Sequence, residues 1–209
     1  MRRWRGNEQT TFEKPPTSRP SMATTRFPHA FVSFGSAGDS SPVDAFLKQR
    51  PDARWVLLGQ HAVQSEMQLW TAWVQASRNE LRSSMVARSI DAEFLRYLAG
   101  THHVSEAFSR AGIQSGDEGA WVVHLPQADG VANDLGHLQP TAREAKAFDT
   151  TLSGLVNGLQ WSLESRSTTP SIEGMSKLGI DVEGWDEARL GDALLAHILM
   201  ADDQSSSHR

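Results

Sequence analysis

Three short apolar runs punctuate the chain, each bounded by turn-forming residues. HAFVSF (29–34), WVLLG (55–59) and AWVVHL (120–125) are rich in β-branched and aromatic side chains, so each predicts a strand. The second run has no polar alternation, which predicts a strand buried on both faces. Between the second and third runs the period changes. Gln64, Gln68, Thr71, Gln75 and Arg78 recur at alternating spacings of four and three, which draws one polar stripe on a helix over 62–78. The rest of that helix carries Val63, Met67, Leu69, Trp70, Trp73 and Val74, enough apolar surface to be buried or covered by a partner. Two further helices, over 90–99 and 102–111, each close on a glycine, Gly100 and Gly112, where a left-handed residue is wanted.

On the near side of the second run, GSAGDSS (35–41) reads as a turn into a short helix from Pro42, with Ser41 as cap and Asp44 three residues on. The second half of the chain is less regular. Phe148, Leu152, Leu155 and Leu159 lie at helical spacing, but Gly154 and Gly158 weaken that helix or mark a close crossing. The stretch 165–174 reads as loop. Leu190, Leu194, Leu195 and Ile198 then give a last amphipathic helix. Together these elements predict a mixed α/β (α+β) fold: a small sheet flanked by helices, in one compact domain over 26–203.

Composition adds two facts to that outline. The 209 residues include no Cys, which removes disulfides, thiolate metal sites and a Cys nucleophile at once. The net charge of −5 is unevenly spread, because residues 1–26 hold six basic and two acidic side chains and leave a body of charge −9. An acidic body argues against a protein that coats duplex nucleic acid, although it permits a local contact with a nucleic-acid end. Residues 1–25, rich in Arg, Pro, Ser and Thr, cannot bury enough surface to offset the entropy of ordering and predict a disordered tail. The change of composition there also fits translation starting at Met22. A short disordered tail is expected over 204–209. With no apolar run of about 18 residues and no apolar segment at the N-terminus, the expectation is a soluble, unexported protein.

Candidate chemistry is sparse. GSAGDSS lacks the Lys-Ser/Thr of a P-loop and the G-x-G-x-x-G spacing of a dinucleotide site, so a strand-to-helix turn is the better reading. No G-x-S-x-G, H-E-x-x-H or D-x-D occurs. His102 and His103 are adjacent, and neighbours on a helix point about 100° apart, which prevents them from chelating one metal by themselves. With Thr101 as N-cap they would occupy a first helical turn, where free backbone N–H groups favour an anion and an imidazole can stack on a base. Two ordinary exposed first-turn side chains account for the same pattern. Asp91 and Glu93 are two apart on a helix and face away from each other, so they form no acid–base pair.

The segment ARSIDAEFLRYLAGTHHVSEAFSRAGI (87–113) resembles the signature of the CGI-type family, the kinase-binding subunits of the KEOPS tRNA-modification complex. The matching positions are Ala87, Ser89, Glu93, Ala99, Gly100, Val104, Ala107 and Gly112. The helix that ends in Ala72-Trp73-Val74-Gln75-Ala76 and the apolar stretch AHILMADD (196–203) are similar to the family's as well. His103 stands where Gln is frequent, and Thr101-His102 where a Lys-Arg pair is common, so this loop carries less positive charge than in many relatives.

The resemblance implies a non-catalytic, cytoplasmic accessory subunit without a cofactor or metal. Such subunits bind the complex's small atypical kinase/ATPase and hold the single-stranded 3′ CCA end of tRNA, while another subunit makes threonylcarbamoyladenosine. Carried onto this chain, the RNA-binding candidates are Arg88, Arg96, Gly100, Thr101, His102 and His103. The kinase-facing candidates are Met67, Trp70, Val74, Leu194 and Ile198. Two other readings stay open: a small acidic α/β hydrolase or metal-dependent enzyme using His61, His102 and His103, and a protein-interaction module that binds no RNA.

Overall fold

A computed structural model describes residues 26–35, 41–130, 138–141 and 145–203. The tails expected over 1–25 and 204–209, and most of the 35–41 turn, lie outside the described residues. The three predicted strands form one antiparallel sheet: β1 (His29–Ser33), β2 (Trp55–Gly59) and β3 (Gly119–His124). Their order is β2-β3-β1, and a fourth, three-residue strand, β6 (Ser162–Glu164), pairs antiparallel with β1 at the edge. β6 was not expected, because all three of its side chains are exposed and leave no apolar alternation to read. A second, two-stranded ribbon of β4 (Ala128–Asp129) and β5 (Gln139–Pro140) closes off the loop after β3.

Successive strand residues face opposite sides of the sheet, and both sides are covered. On one side Phe31, Val56, Leu58, Trp121 and Val123 join a core with α2 (Glu66–Arg82), α3 (Ile90–Leu98), α4 (Val104–Ala111), α6 (Ile172–Lys177) and α7 (Leu190–Leu199). On the other side Val32, Trp55, Ala120 and Val122 pack against Phe46 of α1 (Pro42–Gln49) and Phe148, Leu152, Leu155 and Val156 of α5 (Ala145–Leu159). The unbroken apolar run of β2 follows directly from this double coverage. The fold is α+β, as the pattern predicts.

The first long helix begins four residues later than its polar stripe suggests. Ser65 caps it, its hydroxyl accepting from the backbone N–H of Gln68 at 3.1 Å. Ser65 and Gln68 have the spacing of a capping box, a start signal that the stripe obscured. Gln64 and Gln68 do not face solvent at all. Gln68 Oε1 accepts from Gln64 N–H at 2.8 Å and its amide donates to the Ala62 carbonyl at 3.2 Å, so two side chains of the presumed wet stripe instead satisfy the backbone of the turn after β2. Trp73 is buried and its indole donates to the Pro126 carbonyl at 2.8 Å.

Helix ends show one correct and one mistaken expectation. Gly100 is left-handed, with φ +57°. Its N–H bonds to Tyr97 O at 3.0 Å and the N–H of Thr101 to Arg96 O at 3.1 Å, the paired bonds that close a helix at such a residue. Gly112 instead is extended, with φ −76° and ψ 174°. A Cβ there would run into the Phe108 carbonyl of the last α4 turn, so close approach rather than a left-handed turn calls for glycine. Of the two α5 glycines, Gly158 marks a close crossing with α1, where Gln49 donates to its carbonyl at 3.3 Å, while Gly154 faces open space.

A Cβ on Gly100 would overlap the His197 ring on α7 as well as strain the backbone. Gly100→Ala is therefore expected to lose at least about 1–2 kcal/mol from the left-handed backbone alone and more from the overlap. Gly116, at φ +91° with nothing near it, supplies the control. Thermal melts should show a clearly larger drop for Gly100→Ala than for Gly116→Ala; equal drops would mean that the contact with α7 is soft.

Candidate functional site

The helices α3 and α4 and the loop between them carry most of the residues singled out above. α3 is buried along its whole length, polar residues included. Glu93 is fully buried, and its carboxylate accepts from Val86 N–H (3.1 Å), Ala87 N–H (2.9 Å), the Asn79 amide (2.8 Å) and the Arg96 guanidinium (2.9 Å). Arg96 is equally buried, and it also donates to Asp202 Oδ1 at 2.8 Å and to the Thr101 carbonyl at 3.3 Å. Tyr97 completes the group, its hydroxyl donating to Asp202 Oδ2 at 2.7 Å. Burial by itself would push the Glu93 carboxyl up, yet the hydrogen bonds from Arg96, Ala87 and Asn79 outweigh it and hold the group below the ordinary carboxylate range. For Arg96 burial works against the charge, but the hydrogen bonds it donates to the Glu93 and Asp202 carboxylates outweigh it and keep it charged. The cluster therefore joins α2, α3, the turn before α3 and the end of α7.

This removes Arg96 from the RNA-binding candidates, since its guanidinium is enclosed and its donors are committed. Arg88 is exposed, but it precedes α3, while His102 and His103 follow it. The nine residues of α3 separate them by roughly 13 Å at 1.5 Å per residue. Thr101 does not cap a helix. The described N-cap of α4 is His103, and Thr101 is buried, accepting from His103 N–H at 3.2 Å and donating to Glu106. His102 and His103 therefore stand on a short turn ahead of α4 rather than in its first turn. Their rings meet edge to face, 6.1 Å apart, with His103 exposed and His102 half-buried. The cation that does lie beside this turn is Arg110, which donates to the Ala99 carbonyl at 3.2 Å and pairs with Glu106. Glu106 and Arg110 are four apart on a helix, a spacing that flags the pair; that the side chain reaches back over Gly100 is a tertiary fact.

The kinase-facing candidates divide in the same way. Leu194 and Ile198 are fully buried in the core beneath α7, so they are unavailable to a partner; their heptad-like spacing marks the face that α7 turns inward. Met67 on α2 is 61% exposed. Trp70 and Val74, one and two turns further on, are half-buried against the core, and Trp70 stands edge-on to Phe27 at 4.6 Å and to Trp73 at 5.4 Å. At the end of α7 the exposed apolar side chains are Leu199 and Met200, immediately outside the predicted pair.

Asp91, at the start of α3, pairs with Arg50 at 2.6 Å and faces away from Glu93, so the two carboxylates share no site. His61 Nε2 is bonded to the Arg110 carbonyl at 2.6 Å. Among the described residues, no three His, Asp or Glu side chains are grouped so as to hold a metal ion, and no helix is long and apolar enough to cross a membrane.

The model of a protein family described as kinase binding protein CGI-121 matches residues 40–178, a span that runs from α1 through α6. No curated protein matches the chain.

Proposed function

The chain belongs to the CGI-121 family of kinase binding proteins, and from that membership we propose that it is a non-catalytic, cytoplasmic accessory subunit of a KEOPS complex. It binds the complex's small atypical kinase and presents the 3′ CCA end of tRNA, in support of threonylcarbamoyladenosine formation. The observation that carries the kinase contact is the apolar strip of α2, where a largely exposed Met67 adjoins the half-buried Trp70 and Val74. Such a strip on an otherwise acidic surface is the usual mark of a protein partner. Co-purification with the small kinase of the same organism tests the reading. Two folded proteins that do not associate would overturn it.

The RNA contact rests on the turn of His102 and His103, whose rings offer a stacking surface beside the start of α4. A stacked base is worth about 1–3 kcal/mol, so His102→Ala/His103→Ala should weaken binding of a CCA-ended tRNA by about one to two decades. With Arg96 enclosed and Arg110 paired, few phosphates are neutralised, and the affinity should fall only gently with salt. Equal affinity for tRNA with and without its CCA end would remove this part of the proposal. A second reading, a kinase-binding module that makes no RNA contact, is favoured by the burial of Arg96 and the separation of Arg88 from the two imidazoles.

A further inference from the structure

The turn between α3 and α4 is roofed by a side chain from the far end of the fold. His197 of α7 lays its imidazole over Gly100, so closely that a Cβ there would overlap the ring at Nε2, Cδ2 and Cε1. The backbone beneath is buried from Ala99 to Thr101. Nε2 of the ring is buried too and has no hydrogen-bond partner among the described residues.

The groups around this ring come from every element packed against it. From α4, Arg110 reaches back to donate to the Ala99 carbonyl at 3.2 Å and pairs with Glu106. Glu106 is shared, because it also accepts from the Thr101 hydroxyl. From the end of α6 come the Leu178 carbonyl and Gly179, whose missing side chain leaves room for the Arg110 guanidinium. Lys177, the residue before them, is matched by Glu173 at 3.0 Å. The turn itself contributes the Ala99 carbonyl and carries His102 and His103. On and after α7, Asp192 is exposed and Asp202 is committed to Arg96 and Tyr97. A proton on His197 would therefore place a second cation near Arg110, where the facing carboxylate is already occupied and little water reaches. Burial holds the imidazole below its ordinary range, Arg110 adds to the effect, and the Ala99 and Leu178 carbonyls oppose it without cancelling it.

We propose that His197 is a pH-sensitive latch: neutral, it closes α7 over the α3–α4 turn, and protonated, it releases residues 99–103 while α7 stays docked. The turn yields rather than the helix because α7 has anchors of its own. Leu194 and Ile198 are fully buried, and the Asp202 carboxylate just beyond accepts from Arg96 and Tyr97. The sign follows from linkage. A group harder to protonate in the closed form than in the open one favours opening as pH falls through its ordinary value of 6.5 toward the lower closed-state value. The Glu93 response belongs below 4.5, so the two acid effects are separate. Opening moves His102 and His103 with the turn, but the latch rests on neither the kinase nor the RNA contact.

The test titrates the 13C-labelled histidine rings of the full chain from about pH 7.5 to about pH 5 and follows amide exchange over the same range, corrected for intrinsic rates. The amides of Gly100 and Thr101 report the turn, since both are hydrogen-bonded when it is closed. His197 should titrate below 6.5. As it does so, these two amides should lose protection by at least about threefold more than in His197→Phe, which keeps a ring over Gly100 that cannot take a proton. Amides of α7 from Leu194 to Ile198 should stay protected throughout. A His197 midpoint at or above 6.5 overturns the proposal, as does a native chain whose turn follows His197→Phe at every pH. Equal loss of protection in α7 overturns it too, because the helix has then left with the turn. If His197→Phe does not fold, the native chain still decides: a protonated His197 above unchanged Gly100 and Thr101 amides is no latch.

Discussion

Glu93→Ala should destabilise the protein by about 3–5 kcal/mol, the cost of leaving one partner of a buried ion pair without its counterion. The stranded group is the Arg96 guanidinium, which is as fully buried as Glu93. Asp202 remains beside it, but the Asp202 side chain is 55% exposed and lies at the surface end of the cluster. The same substitution unties the Val86 and Ala87 amides and the Asn79 side chain, so the turn before α3 should loosen as well. Chemical denaturation would measure the loss, and hydrogen exchange would locate it at residues 86 and 87. Replacing Glu93 and Arg96 together by Met should restore part of the stability, because no buried charge is then left unpaired and the half-exposed Asp202 can turn to water. A loss below about 1 kcal/mol for Glu93→Ala would mean that water reaches the guanidinium.

The same cluster sets a pH dependence with a definite sign. The folded Glu93 carboxyl titrates below the ordinary 4.5 of the unfolded chain. Its contribution is therefore fully present above about pH 4.5 and is lost as pH falls through the lower folded value, where protonation breaks the bonds to Arg96, Ala87 and Asn79. Stability measured from pH 6 down to pH 3 should fall less steeply in Glu93→Gln than in the native chain. Parallel profiles would assign the acid sensitivity to other carboxylates.

The second large effect is expected at the kinase. Met67→Glu places a charge on the most exposed side chain of the α2 strip, where a docked partner would have to desolvate it. A buried unpaired charge at the core of an interface costs at least about 2 kcal/mol, and commonly more, so affinity for the small kinase should drop by about 30-fold or beyond measurement. The folded monomer should not notice, since Met67 is mostly in solvent. Unchanged melting with lost binding would place the interface on α2. Retained binding would move it to another exposed apolar site, with Leu199 and Met200 at the end of α7 the next to be charged.

Periodicity by itself determined the sheet and most of its cover. The runs at 29–34, 55–59 and 120–125 are apolar because both faces of the sheet are covered along these strands, a constraint that leaves a mark in the sequence wherever it applies. The repeat of Phe148, Leu152 and Leu155 predicts α5 for the same reason, and Gly100 is legible as a helix stop because only glycine occupies that backbone region without strain. Only the tertiary structure decided which polar side chains are surface. Gln64, Gln68, Glu93 and Arg96 have surface composition and interior positions, because residues distant in the chain, such as Ser171 and Asp202, or the backbone of a neighbouring turn supply their partners. The candidate contacts failed or survived on the same ground. Leu194 and Ile198 show the face that α7 presents, and a helix pattern shows a face without saying whether core or partner meets it. Arg96 is a cation in sequence, but the two carboxylates that enclose it, one a turn away and one over a hundred residues on, make it a structural ion rather than a ligand for phosphate.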